Sequence, residues 1–185
     1  MKKRKKIAFD LDGVIIDKPP IIPKRLLEWL FCGGGKNGLH YRYPKTRLER
    51  TIRKISHYYL FRPPIKGNVE FIKKMAKDPS LEFYVISGRY SFLEKETKNW
   101  LEKNKISKFF TQIFLNLNDE QPHLYKEKIL GNLKPDIFID DDLLLVNFLT
   151  KKINNCKIFC FLSSGKIRTK TRVLKEGQLI KILEE

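Results

Sequence analysis

Two carboxylates stand two residues apart in the segment I-A-F-D-L-D-G-V-I-I-D, where an apolar run delivers Asp10 and Asp12 into a glycine turn. Two further polar groups close apolar runs. Ser87-Gly88-Arg89 follows Y-V-I, and Asp140-Asp141-Asp142 follows I-F-I. A buried carboxylate is costly unless something compensates it. Two acid clusters brought together would repel strongly without a cation. Carboxylate, carbonyl and water oxygens are the ligands that a hard divalent ion such as magnesium takes. A serine hydroxyl, a lysine such as Lys126 and exposed backbone amides suit a phosphate. Phosphoryl transfer needs positioning and charge neutralisation above all, and this set supplies both.

These residues must converge in space, and the intervening elements indicate how. Short apolar runs over 6–9, 82–87, 112–115, 136–139 and 157–162 read as buried strands. Helical spacing predicts helices over 68–77, 94–103, 123–133 and 143–152. Strands alternating with helices imply an α/β fold, with a mostly parallel sheet of about five strands and helices on both faces, Rossmann-like in its layering. Ligands then sit beyond the carboxyl ends of the strands, where the acid clusters and Ser87 fall. The stretch 18–66 lacks strands and interrupts the alternation after strand one. It reads as a small helical insertion with a proline-started helix over 23–31, a glycine-rich loop over 32–38 and a helix over 45–61. The last has Leu48, Ile52, Ile55 and Tyr59 at helical spacing, and Pro63-Pro64 ends it. The expected division is a core of 1–17 and 67–185 with the insertion at 18–66.

The 185 residues suit one domain carrying an insertion, and 42% hydrophobic content allows a substantial core. No apolar run reaches the roughly 18 residues that a membrane span needs. The basic start M-K-K-R-K-K is followed by too short an apolar run for a signal peptide. A soluble, cytoplasmic protein is expected. Cys32, Cys156 and Cys160 are odd in number and lack CxxC spacing, which argues against a disulfide framework or a zinc site. The net charge of +17 raises nucleic acid as a partner. The basic residues are dispersed along the chain, however, and dispersed charge mostly reports solvated faces.

As a set, I-A-F-D-L-D-G-V, Y-V-I-S-G-R, Lys126 and I-F-I-D-D-D resemble, in order and approximate spacing, the four motifs of the haloacid dehalogenase-like superfamily of phosphohydrolases. The segment K-E-K-I-L-G-N-L-K-P-D-I-F-I-D-D is similar to its 5'(3')-deoxyribonucleotidase-like members, and the insertion resembles the superfamily's small helical cap. The resemblance covers residues 6 to about 164. It implies a magnesium-dependent phosphate monoester hydrolase, with a nucleoside monophosphate as the leading substrate class. It implies that Asp10 is the nucleophile, forming an aspartyl-phosphate, and that Asp12 is the general acid and base. Magnesium would be held by Asp10, the backbone carbonyl of Asp12, and Asp141 or Asp140. Ser87 and Gly88 would bind the phosphoryl oxygens, the amide of the tight Gly13 turn would face the phosphate, and Lys126, or Lys128 two residues on, would neutralise it. The alternative is a nucleic-acid-associated protein, an end-processing phosphatase or binding module on the same fold.

Other conspicuous residues have plainer readings. Asp142 suits a helix N-cap, Asp17 a turn, and Arg89 either solvent or phosphate contact. The segment Y-R-Y-P-K-T-R-L-E-R-T-I-R-K interleaves aromatics with Arg42, Arg47, Arg50 and Arg53, as nucleic-acid surfaces can. An amphipathic helix with one solvated face explains it as well. Trp29, Trp100, Cys156 and Cys160 read as packing residues. His40, His57 and His123 form no metal or dyad pattern.

Overall fold

The computed structural model describes residues 3–19, 39–162, 171–175 and 177–184. Its centre is a six-stranded sheet in the order β3-β2-β1-β4-β5-β6, parallel throughout. The strands are β1 (Lys5–Phe9), β2 (Leu81–Tyr90), β3 (Gln112–Asn116), β4 (Ile137–Asp140), β5 (Lys157–Leu162) and β6 (Arg172–Lys175). Between them lie α1 (Arg47–Ser56), α2 (Lys66–Met75), α3 (Glu94–Lys103), α4 (Pro122–Leu133) and α5 (Leu143–Lys152).

Alternation along the strands divides the core into two layers. Ile7, Phe9, Phe83, Val85, Ile137 and Ile139 face one side, where α2 and α3 supply Val69, Ile72, Trp100 and Leu101. Ala8, Tyr84, Ile86, Phe138 and Ile158 face the other, where α4 and α5 supply Tyr125, Leu130, Leu145 and Leu149. Both faces are covered, so the strands read as continuous apolar runs. β1 lies between β2 and β4, and the chain order reverses there. The crevice beyond the carboxyl ends of β1, β2 and β4 is therefore the natural ligand position.

The sheet has one strand more than the five expected. β6 offers only four residues, with Leu174 its one buried side chain, too short for a periodic signal. β2 runs on through Ser87, Gly88 and Arg89, and its pairing with β3 shifts register between Ser87 and Tyr90.

Only part of the insertion lies among the described residues. The expected helix over 23–31, the loop over 32–38, Trp29 and Cys32 fall outside them. The chain's exit and re-entry are pinned side by side. Asp17 N–H donates to the Pro63 carbonyl at 2.8 Å, and Ile65 N–H to that of Ile15 at 2.9 Å. α1 begins with a capping box between Thr46 and Glu49 but ends at Ser56, short of the expected 61. Its orientation is the reverse of a core-facing apolar stripe: Leu48 and Ile55 are 70% and 57% exposed, while Arg53 and Ser56 are buried. Among the described residues, no helix is long and apolar enough to cross a membrane.

Trp100 is fully buried, and its indole N–H donates to the Arg62 carbonyl at 2.6 Å. It thus ties α3 to the end of the insertion. Trp100→Ala should lower the unfolding free energy by about 3–5 kcal/mol. Urea denaturation checks this, and a loss below about 1 kcal/mol would mean that the site collapses around the deletion.

Candidate active site

Asp10 stands one residue beyond β1, and its N–H donates to the Ile139 carbonyl at 2.7 Å. That bond fixes it against β4, whose last residue is Asp140. Lys126 rises from α4 between them. Its ammonium lies 2.8 Å from Asp10 Oδ1 and 2.7 Å from Asp140 Oδ2, with all three side chains buried. Asp140 Oδ1 also accepts the Asp142 N–H. Asp141 completes the group, and one carboxylate oxygen from each of Asp10, Asp140 and Asp141 lies within 4.8 Å of the others. Lys18, mostly exposed, reaches Asp141 Oδ2 at 3.1 Å.

Gly13 makes the crowding possible. Its φ is +73°, and a Cβ there would fall 2.0 Å from Asp141 Oδ2. Any side chain would both strain the turn and displace the carboxylate. Gly88 is constrained similarly, since a Cβ would meet Pro122 at 2.8 Å. Ser87 is buried at the same strand ends, and its Oγ accepts the Arg89 N–H at 3.3 Å.

Asp12 faces a different environment. Arg89 grips it with two bonds, Nε to Oδ2 and Nη2 to Oδ1, both 2.7 Å. Arg62 adds a third contact through Nη2. The two acids are consequently driven apart. Burial pushes the Asp10 carboxyl well above the usual range; Lys126 pulls it back and Asp140 pushes it further up. Burial acts the same way on Asp12, but Arg89 and Arg62 outweigh it and hold that carboxyl well below the usual range. Burial, offset by Lys18 and reinforced by Asp140, pushes Asp141 up to about 6. Burial would lower the Lys126 ammonium, yet Asp10 and Asp140 hold it above the ordinary lysine value.

Asp10, Lys126, Asp140 and Asp141 therefore meet at one point, with Asp12 on the adjoining turn and Ser87 and Gly88 on the neighbouring strand β2. Lys128 does not join them; it pairs with exposed Glu120. Asp142 caps α5, accepting from Leu144 and Leu145 N–H, and takes a bond from the Tyr41 hydroxyl at 2.6 Å. Arg89 serves Asp12 and Thr97. Sequence reasoning missed Lys18, His57 and Arg62. The carboxylate set, with no thiolate or imidazole, fits a hard cation. A separate cavity of about 780 Å³ opens at the amino end of the sheet, lined by Lys5, Asp136, Lys157 and Arg172 among others. It is remote from these residues.

The arginine-interleaved segment does not present a free basic face. Arg42 pairs with Glu49, Arg50 lies 5.3 Å from the Tyr43 ring centroid, and buried Arg53 donates to the Arg42 carbonyl at 2.6 Å. Arg47 is exposed.

No protein-family model and no curated protein matches the sequence. Solved structures match the fold. A hydrolase of the haloacid dehalogenase-like family from Streptococcus pneumoniae is 12% identical with a TM-score of 0.59, covering 100% of this chain and 99% of its own. A HAD hydrolase from Bacillus subtilis, bound to magnesium, is 12% identical at a TM-score of 0.63, covering 99% and 98%. A HAD family enzyme from Bacteroides thetaiotaomicron, a variant in complex with magnesium and inorganic phosphate, is 14% identical at 0.55, covering 89% and 97%. The chain has the α/β fold of haloacid dehalogenase-like hydrolases.

His57 is buried near Asp12, Arg62 and Arg89, and its Nδ1–H donates to the Arg53 carbonyl at 2.8 Å. Burial and the two arginines hold its pKa well below 6.5, so it folds neutral. Below about 6.5 the unfolded chain gains a proton that the folded protein refuses, and stability falls as pH drops. Acidification from about pH 7.5 to about 5.5 should therefore lower Tm more in the native protein than in His57→Gln. Parallel losses in thermal melts at both pH values would reject this assignment.

Proposed function

We propose that the protein is a magnesium-dependent phosphate monoester hydrolase, with Asp10 as nucleophile and nucleoside monophosphates as the leading substrate class. The observation that carries this is the Asp10–Lys126–Asp140 arrangement with Asp141 beside it, at the carboxyl ends of the central strands. The nucleotide class rests on motif resemblance. The fold's magnesium-bound neighbours support the cation, and the oxygen-only donor set agrees with them.

Asp10, Asp140 or Asp141, and the Asp12 carbonyl would hold the ion. When bound, it supplies positive charge to the phosphoryl oxygens and the nucleophile. The protein's own groups do the rest. Lys126 neutralises the phosphate and keeps Asp10 aligned. Ser87 Oγ and the Gly88 backbone orient the phosphoryl oxygens; the Gly13 N–H, expected to face the phosphate, instead donates to the Ile16 carbonyl at 2.7 Å and closes the turn. Turned away from Arg89 and Arg62, Asp12 takes up a proton from solvent; Asp10 attacks phosphorus, the ester oxygen departs with that proton, and Asp12, ionised again, takes a proton from the water that cleaves the aspartyl-phosphate. The ionised form that Arg89 and Arg62 enforce suits the base step. Residues 18–66 form the cap over this site, between core segments 1–17 and 67–185. The adjacent anchoring of Asp17 and Ile65 supports that division. The engagement of Arg42, Arg50 and Arg53 within the protein weighs against a nucleic-acid surface there.

Asp10→Asn should reduce phosphate release by roughly 10³-fold or more while leaving Tm unchanged or raised, because one negative charge leaves a crowded cluster. Near-native turnover in the folded variant would sink the mechanism. Protein freed of metal by chelation should release no phosphate until magnesium returns. Calcium should restore less, since its looser coordination positions the phosphoryl group poorly. Turnover by demonstrably metal-free protein would contradict the assignment.

A further inference from the structure

Asp12 is held by more positive charge than one carboxylate balances. The Arg62 and Arg89 side chains are each 4% exposed, and Asp12 is the carboxylate that bonds both guanidinium ions, with Asp141 and Asp17 adding longer-range attraction at Arg62. Their backbones are fixed. The Arg62 carbonyl takes the Trp100 indole N–H, and the next residues are pinned to Ile15 and Asp17. The Arg89 guanidinium is braced by Thr97 Oγ1 at 3.0 Å. Arg62 Nε is buried without a partner. Asp12 alone of the three opens outward, at 32% exposure. An uncompensated buried charge is expensive, and the cost rises when Asp12 turns toward a leaving oxygen. An anion seated on the guanidinium pair would offset that cost.

We propose that Arg62 and Arg89 form an anion subsite beside the phosphoryl site, which takes a second phosphate group of the substrate and thereby frees Asp12 for proton transfer. This rests on the phosphatase reading above. A phosphate fits better than a carboxylate. Its oxygens match two planar donor forks, and its greater charge balances two guanidinium ions where a carboxylate balances one. The second phosphate is either another monoester on the same small molecule or a diester adjoining the monoester.

The test compares hydrolysis of AMP with adenosine 3',5'-bisphosphate, adenosine 2',5'-bisphosphate and a 5'-phosphorylated diadenylate. At least one doubly phosphorylated substrate should exceed AMP in kcat/KM by roughly tenfold or more. A bisphosphate preference identifies the monoester source, and a dinucleotide preference the diester. Arg62→Gln and Arg89→Gln should each bring the ratio to AMP close to one, chiefly through KM, with Arg62→Lys intermediate. A native ratio near one for all three substrates would overturn the subsite, as would a ratio that survives in both variants. Should Arg62→Gln melt out, the native ratio and Arg89→Gln decide. Calorimetric binding of the same compounds to Asp10→Asn gives the comparison without turnover. A protein that hydrolyses nothing, para-nitrophenyl phosphate included, fails as a phosphatase, while those binding ratios still judge the subsite.

Discussion

The site depends on one buried ammonium. Lys126 stands between Asp10 and Asp140 within hydrogen-bond distance of both, and its partners lie on neighbouring strands far apart in sequence. Three carboxylates within 4.8 Å would otherwise repel in a region largely shielded from water. The sheet topology makes the meeting possible, because β1 and β4 are adjacent and end together. α4 must then cross the sheet face so that Lys126 points back at the strand ends. Tyr125 and Leu130 provide that anchorage by burying against Tyr84, Ile86 and Phe138. Packing on the sheet face and charge at its edge are thus one arrangement.

A second electrostatic unit lies only two residues along the chain. Asp10 is raised by burial and neighbouring acids, while the arginines hold Asp12 low. Groups whose environments separate them in this way take different tasks in acid–base chemistry. On the proposed reading, Asp10 needs added positive charge to stand as an ionised nucleophile, and the adjacent oxygen donors are where a cation supplies it. Asp12 already stands ionised, and its task requires freedom to move. The Gly13 turn keeps the units distinct while allowing Asp141 close to both.

How much was legible follows from what each signal encodes. Expected helices over 94–103 and 143–152 and the strand over 157–162 recur with the same bounds in α3, α5 and β5. Long apolar periodicities report burial directly. β6 gave no such signal, with one buried residue in four. The spacing in α1 defined an apolar stripe correctly but not its direction. Arg53 and Ser56 turn inward and bond to local carbonyls, so Leu48 and Ile55 turn out. Lys126 and Lys128 were inseparable by spacing, although two residues along a helix rotate a side chain by roughly 200°. That rotation puts one on Asp10 and the other on Glu120. Arg62 was invisible because a lone arginine before two prolines carries no pattern. Only the return of the chain beside Ile15 and Asp17 brings it to Asp12.

The same folding-back changes what the net charge of +17 means. A composition argument treats each basic residue as surface available to a polyanion. Here Lys126, Arg62 and Arg89 are spent on the carboxylates at the strand ends, Arg42 on Glu49, and Arg50 on backbone and aromatic contacts near Tyr43. Lysines that remain exposed, such as Lys73, Lys95 and Lys151, lie on separate helices. Such charges are screened from one another at physiological salt, where the Debye length is about 8 Å. The buried arginines act over a hydrogen-bond length in a medium that screens far less. Selectivity for an anion is therefore better sought where few cations are fixed and desolvated than where many are scattered and wet.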